Sequence, residues 1–148
     1  MRCLIVSAIA VCLFTAPLVA QDRQVLHGPG EVRGLPFSSA VRVGNMLYLS
    51  GQIGNVPGTR QLADTGIAGQ TRQALENIKG VLASAGSSLD RAVKCTVFLA
   101  DIRDYAAMNA VYATYFLQDP PARSTVAGSG LVLGARVEIE CLAVAGLG

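Results

Sequence analysis

The stretch Arg136-Val-Glu-Ile-Glu-Cys-Leu-Ala-Val-Ala145 decides the fold, because it alternates as a β-strand with two different faces does. One face carries Val, Ile, Cys, Ala and Ala, and the other carries Arg, Glu, Glu, Leu and Val. If helices cover the first face, the second face is charged at one end and apolar at the other. An apolar half-face that no helix is left to cover predicts burial against another subunit, and hence an oligomer.

The residues upstream of this strand predict two helices and four further strands. Ile67 to Ala85 has the i, i+3, i+4 spacing of an amphipathic helix, and Ala92 to Leu99 is nearly apolar on both faces, as a covered strand is. The other elements are a hairpin turning at Gly44-Asn45, a helix from Asp101 or Arg103 to Phe116, and a strand near Ser124 to Val126. We interpret Gly51 to Gly66 as a loop. The order β-β-α-β-α-β-β predicts one α+β domain, a sheet with two helices packed on one face.

Residues 1–20 have the composition of a cleavable secretory signal. They contain 16 apolar residues, one base, Arg2, and no acid. The apolar run from Leu4 to Phe14 is too short to span a bilayer as a helix, and the small residue Ala20 ends the segment. We predict cleavage after Ala20, a periplasmic or secreted location, and no stable membrane association afterwards; an uncleaved N-terminal anchor is the alternative. The mature chain then consists of an irregular arm, residues 21–35, and a domain, residues 36–148.

The mature chain of 128 residues is close to neutral. Without Arg2 it carries 11 basic and 10 acidic side chains, and it contains no Trp. A basic stripe interleaved with stacking aromatics is therefore missing, and we expect no nucleic-acid partner. Two cysteines remain, Cys95 and Cys141. They could form one disulfide in an oxidising compartment, but their apolar strands favour two buried, reduced thiols.

Few residues of this chain can carry chemistry. His27 is the only histidine and lies in the arm, which argues against Ser-His-Asp and Cys-His nucleophiles and against a zinc site. Arg123 follows a Pro-Pro turn and can present its fork to a carboxylate or lie in a solvated surface pair. Glu138 lies on the second face of the last strand. It is either half of a structural ion pair with Arg136 or Arg123, or a general acid/base with a shifted pKa.

Seven blocks of sequence together resemble one known family in order and spacing. The blocks are Pro36 to Gly54, Gln70 to Lys79, Ala85 to Asp90, Lys94 to Asp101, Met108 to Tyr112, Pro121 to Val126 and Gly134 to Ala143. The family is RidA (YjgF type, reactive intermediate deaminases), and the resemblance extends from about Leu35 to Val144. It implies a chorismate-mutase-like α+β fold with a mixed sheet, assembled as a homotrimer with ligand clefts between neighbouring subunits.

The resemblance also implies an activity. Members of the family hydrolyse enamine/imine intermediates of the 2-aminoacrylate/2-iminopropanoate type to a 2-keto acid and ammonia, without metal or organic cofactor. An exported member is separated from the cytosolic enzymes that release such intermediates. The alternative function is therefore a trimeric protein that binds small carboxylates or related metabolites without turnover. Ribonuclease activity, also claimed for relatives, ranks third because the chain is nearly neutral.

Site residues carry over by position. Arg123 resembles the carboxylate-binding arginine of the family, and Glu138 resembles the glutamate that positions or activates water. Five further positions match residues that line the ligand cleft: Phe37, Ser50, Gly51, Asn109 and Thr125. Phe37 stands where the family often has Tyr, which removes a hydroxyl. Thr125 stands where many active members have Cys.

Overall fold

The core lies between a sheet and two helices, because the strands and the long amphipathic helix each bury one apolar face. The structure is a computed structural model that describes residues 22–146. The predicted signal segment, residues 1–20, lies outside the described residues. The strands are β1 (Arg23–Leu26), β2 (Ala40–Val43), β3 (Met46–Leu49), β4 (Gln52–Ile53), β5 (Ala92–Leu99), β6 (Ala122–Ala127) and β7 (Val137–Val144). The α-helices are α1 (Ile67–Ser84) and α2 (Tyr105–Tyr112), and short 3-10 helices span Leu89–Arg91, Ile102–Asp104 and Val132–Gly134.

The sheet is mixed, as expected. Its strand order is β1-β2-β3-β7-β5-β6, and β4 also pairs with β7. Strands β5 and β6 run parallel, whereas the other pairs are antiparallel. Strand β6 therefore lies at one edge of the sheet, beside β5 alone.

Both helices cover one face of the sheet. On that face Val137, Ile139 and Cys141 of β7 are buried, and α1 packs against β7, β4 and α2. The largest fully buried side chains of this layer include Leu47, Leu75, Ile78, Leu82, Leu99 and Met108. Burial of each such side chain stabilises the fold by about 1.5–3 kcal/mol. The opposite face of the sheet has no helix over it among residues 22–146, and Tyr48 and Val126 remain 46% and 48% exposed.

Two glycines adopt the left-handed conformation that a tight turn and a helix end require. Gly44 has φ +57° in the two-residue turn between β2 and β3, where a left-handed conformation is required. Gly86, at φ +68°, follows the end of α1, and its amide donates to the carbonyl of Ala83 at 3.1 Å. The amide of Ser87 donates to the Leu82 carbonyl at 2.8 Å, so the last carbonyls of α1 are satisfied.

Three elements differ from the expectation. The arm contains β1, which pairs with β2, and the loop after the hairpin contains β4, which pairs with β7. Only backbone hydrogen bonds define these two strands, because most of β1 is exposed and β4 has just two residues. Neither strand therefore shows an alternating apolar pattern in the sequence. The second helix is shorter than expected, because Asp101 caps a 3-10 turn before it and the chain leaves the α-helix after Tyr112.

The expectation of reduced thiols is wrong. Cys95 and Cys141 form a disulfide between β5 and β7, with Cα atoms 4.1 Å apart. The two residues lie directly opposite each other in the register, and both side chains point into the buried layer. Their pairing depends on this register, which neither strand reveals by itself.

Within residues 22–146, no helix combines the length and the apolar character that crossing a membrane requires.

Candidate functional site

Six of the seven residues expected at the site, all except Ser50, fall into two groups on opposite faces of the sheet. The register pairs Cys95 with Arg123, and Phe98 with Glu138. Because side chains alternate along a strand, Arg123 points to the helix-covered face and Glu138 to the uncovered face. The two Cα atoms are three residues apart along the strand direction and two strands apart across the sheet. These offsets together give a separation of roughly 14 Å. One small molecule therefore cannot touch both side chains of the same subunit.

The first group, here called the Arg123 cluster, consists of Tyr105, Asn109, Tyr112, Arg123 and Thr125. Arg123 Nη2 donates to Tyr105 Oη at 3.1 Å, and the guanidinium carbon lies 4.6 Å from the centre of the Tyr112 ring. Asn109 lies four residues after Tyr105 and three before Tyr112, so α2 presents all three on one side. Thr125 follows Arg123 by two residues on the same face of β6.

Two buried hydroxyls of this cluster have no hydrogen-bond partner. They are Tyr112 Oη and Thr125 Oγ1. Burial raises the pKa of Tyr112 to about 12, although the nearby charge of Arg123 acts in the opposite direction. Tyr112 is therefore a neutral phenol, and it offers Arg123 the face of its ring rather than a negative charge.

The second group surrounds a cavity of about 410 Å³ on the other face, here called the Glu138 cavity. Glu138 and Gly51 line it together with Phe37, whose ring is 56% exposed. Other apolar lining comes from Val32, Leu35, Ile53, Val132 and Leu133. The cavity thus places the Glu138 carboxylate beside several apolar side chains, and polar side chains, Glu31 and Arg60 among them, complete its wall.

Glu138 lies directly over Gly51. A Cβ atom at position 51 would overlap Oε1 of Glu138, so only glycine leaves room for the carboxylate there. Burial raises the pKa of Glu138 above its ordinary value, and the negative charge of Glu140 raises it further. A raised pKa makes the ionised carboxylate a stronger base than a solvated glutamate.

The surroundings of Glu138 distinguish between a structural ion pair and an acid/base role. Arg136 does not pair with Glu138. It binds Asp104 through two hydrogen bonds of 3.0 and 2.6 Å. Arg123 packs against tyrosines on the other face. Within residues 22–146, Glu138 forms no ion pair, which favours the acid/base interpretation.

Ser50 supports the site without lining the cavity. Its hydroxyl donates to the carbonyl of Ser38 at 2.6 Å, and its amide donates to the carbonyl of Ser39 at 3.0 Å. These bonds hold the segment that follows Phe37 against the end of β3. Ser50 therefore positions the wall of the cavity that Phe37 forms.

The arm contributes a wall that the sequence did not reveal. Gly30, Glu31 and Leu35 line the Glu138 cavity. Glu31 accepts a hydrogen bond from Ser39 Oγ at 2.7 Å and lies 2.9 Å from His27 Nδ1, and these contacts lower its pKa. Serine and histidine both face the carboxylate, whereas a nucleophilic serine must contact the imidazole. These three residues therefore hold the arm in place and do not form a triad.

The described part of the chain contains no cluster of metal ligands. Among residues 22–146, no group of three or more His, Cys, Asp or Glu side chains lies close enough to hold a metal ion.

Comparison with known proteins places these residues in a wider context. A family model described as Endoribonuclease L-PSP matches residues 33–145. The 2-iminobutanoate/2-iminopropanoate deaminase of Homo sapiens is 42% identical over 129 residues, which cover 87% of this chain and 93% of the human protein.

Solved structures share the fold at similar coverage. The 1.2 Å crystal structure of the YjgF gene product from E. coli matches with a TM-score of 0.75 and 35% identity, covering 82% of this chain and 98% of that one. The crystal structure of E. coli TdcF with bound serine matches with a TM-score of 0.74 and 33% identity, at the same coverage of both chains. The expected α+β fold, a mixed sheet with two helices, is thereby confirmed.

Proposed function

Because the chain belongs to the family of RidA and YjgF proteins, we propose that it hydrolyses small 2-imino acids to 2-keto acids and ammonia. The reaction takes place in clefts where the Arg123 cluster of one subunit meets the Glu138 cavity of its neighbour in a homotrimer. The observation that carries this proposal is a partly buried carboxylate without a cation of its own, on the face of the sheet opposite to a half-buried arginine.

Substrate binding relies on Arg123. The carboxylate of a 2-imino acid accepts two N–H bonds from the guanidinium, which fixes the sp² carbon beside it. The orphaned Thr125 hydroxyl lies on the same face and can donate to the same ligand. Asn109 adds an amide one helical turn from Tyr105.

Hydrolysis relies on Glu138 of the neighbouring subunit. Its carboxylate accepts a proton from water as the water oxygen bonds to C2, the C=N π bond opens, and the nitrogen takes up a proton from solvent, which gives a carbinolamine. Glu138 then returns its proton to the amino group. The C–N bond breaks as the C=O bond forms, the hydroxyl proton passes to water, and ammonia leaves a 2-keto acid. An imine carbon is already electrophilic, so one positioned acid/base group suffices and no nucleophilic side chain is needed.

The oligomer is supported by the uncovered face of the sheet. This face carries Glu138, yet it also exposes Tyr48 and Val126, large apolar side chains that a solvated sheet face rarely presents. Burial of these side chains against neighbouring copies would bring Glu138 close to another subunit. We expect the mature protein to elute in size exclusion at about three times the mass of one subunit.

Export remains part of the proposal. Residues 1–20 have the composition of a signal peptide, and a buried disulfide is typical of proteins in an oxidising compartment. Fractionation of cells that express the full chain tests this: we expect the mature form, beginning at Gln21, outside the cytosol. A full-length cytosolic protein would contradict it.

The direct test of function follows ammonia and 2-keto acid release from an imino acid generated in situ by an amino acid oxidase. The mature protein is compared with Arg123→Ala and Glu138→Ala, and we expect both variants to lose at least about a hundredfold in rate. Spontaneous hydrolysis, measured without protein, sets the baseline. A wild-type protein that does not exceed this baseline with any of several imino acids would overturn the proposal.

A binding protein is the second candidate, because Phe37 presents a bare ring where related proteins often have a tyrosine hydroxyl. In that case a 2-keto acid such as 2-oxobutanoate binds in an Arg123-dependent way while no imino acid is turned over. Calorimetry with the same variants distinguishes the two functions.

A further inference from the structure

The guanidinium of Arg123 is held from two sides within its own subunit. The Tyr112 ring lies against it at 4.6 Å, and Tyr105 Oη accepts a hydrogen bond from Nη2 at 3.1 Å. Tyr112 is only 4% exposed and packs against Phe116 with ring centres 4.7 Å apart. The aromatic face that meets Arg123 is thus a fixed part of the core.

The two contacts leave free the edge of the guanidinium to which a carboxylate binds. The Tyr112 ring uses the π face of the guanidinium, and Tyr105 uses one of its five N–H donors. Four N–H donors in the plane remain, and a bidentate carboxylate requires two of them. The backbone of Arg123 is also fixed, since it lies opposite Cys95, which the disulfide ties to β7.

We infer that Tyr105 and Tyr112 are positioning residues that hold the guanidinium of Arg123 ready for carboxylate binding. This inference rests on the proposed function, because it concerns the same cleft. An arginine side chain without such contacts loses its rotamer freedom only when the ligand binds, and this loss weakens binding. Tyr105 and Tyr112 hold Arg123 in one arrangement before the ligand arrives.

The experiment measures affinity for an unreactive acid and for its uncharged counterpart. The mature protein, Tyr105→Phe and Tyr112→Leu are titrated with 2-oxobutanoate and with 2-oxobutanamide. Tyr115→Phe is the matched control, since the Tyr115 hydroxyl donates to Glu76 at 2.8 Å and does not contact Arg123.

We expect Tyr105→Phe to raise the dissociation constant of 2-oxobutanoate about fivefold, through loss of one hydrogen bond. Tyr112→Leu raises it about tenfold, through loss of the cation–π contact. Affinity for the amide changes less than affinity for the acid, because the amide has no carboxylate to accept two hydrogen bonds from the Arg123 guanidinium. In an Arg123→Ala background, Tyr105→Phe causes no further loss.

Several outcomes would overturn the inference. Equal losses for acid and amide would show that the tyrosines act only on the fold, and so would a loss that persists in the Arg123→Ala background. Unchanged affinity in Tyr105→Phe would remove that residue from the role even if Tyr112→Leu does not fold, because Tyr105 is 41% exposed and its hydroxyl is not part of the core. A wild-type protein that neither binds the acid nor hydrolyses an imine would instead contradict the proposed function, and the inference with it.

Discussion

Glu138 is the residue whose surroundings matter most for the proposed reaction. Burial and the charge of Glu140 raise its pKa, while its own subunit supplies no cation against it among residues 22–146. The ionised form accepts the proton of the attacking water, so activity should fall as pH drops through the pKa of Glu138.

Replacement of Glu140 tests whether its charge raises the pKa of Glu138. Glu140→Gln removes a negative charge that raises the pKa of Glu138, so the pKa falls and Glu138 stays ionised at lower pH. We expect the acid limb of the kcat/KM profile to move to lower pH relative to wild type. A limb that stays in place or moves to higher pH would show that Glu140 does not act on the titrating group.

Gly51 provides a steric test of the same carboxylate. A Cβ at this position would overlap Glu138 Oε1, and Gly51→Ala must therefore displace the carboxylate. We expect kcat/KM to fall roughly a hundredfold while the folded structure persists.

Gly128→Ala is the matched control for this test. A Cβ there meets no atom within 4 Å, and we expect the activity of Gly128→Ala to stay within about twofold of wild type. Near-normal activity in Gly51→Ala would mean that the position of the Glu138 carboxylate does not limit the reaction.

At the residue scale the sequence predicted the two charged residues of the site. It did not predict the two tyrosines that contact Arg123. Arg123 stood out because it follows a Pro-Pro turn, and Glu138 because a charged residue within a strand must find a partner or a function. Tyr105 and Tyr112 did not, because an aromatic stripe at helical spacing predicts core packing. Tyr112 is indeed core, but one face of its ring meets Arg123 at the edge strand.

At the scale of elements, the disulfide joins the strands that connect both halves of the site. Cys95 of β5 lies between Cys141 of β7 and Arg123 of β6 in one row of the sheet. The disulfide therefore links β7, which carries Glu138, to β5. Strand β5 in turn pairs with β6, which carries Arg123.

Reduction of this disulfide should cost stability. Its 46-residue separation predicts that the free energy of unfolding falls by about 4 kcal/mol on the chain-entropy model. Urea denaturation with and without a phosphine reductant measures the change, and Cys95→Ala/Cys141→Ala should match the reduced protein. Two free thiols in denatured, unreduced mature protein, with no effect of the reductant, would contradict the bond.

Long periodic elements were predictable, and short ones were not. The alternation of β7 and the spacing of α1 follow from burial of one face, which leaves a pattern in the sequence. Strands β1 and β4 leave no such pattern, because hydrogen bonds to β2 and β7 define them and their side chains are mostly exposed or half-buried. The arm that β1 begins nevertheless forms a wall of the Glu138 cavity.

At the scale of the whole molecule, the opposite orientations of Arg123 and Glu138 are the main result. The sequence predicted an oligomer from the apolar half-face of β7, without the position of Arg123. The structure adds a second reason, because the two residues cannot meet on one small ligand within a subunit. The proposed reaction therefore requires a cleft that is shared between copies of the chain.

Mixing of inactive subunits tests this requirement most directly. Arg123→Ala and Glu138→Ala proteins are each assayed alone, then unfolded together in equal amounts, refolded and assayed again. If each cleft takes Arg123 from one subunit and Glu138 from the next, about a quarter of the clefts in random mixtures regain both residues. We predict that the mixture recovers about a quarter of wild-type activity; a mixture as inactive as its two parents, with wild-type protein refolding normally, would contradict the shared cleft.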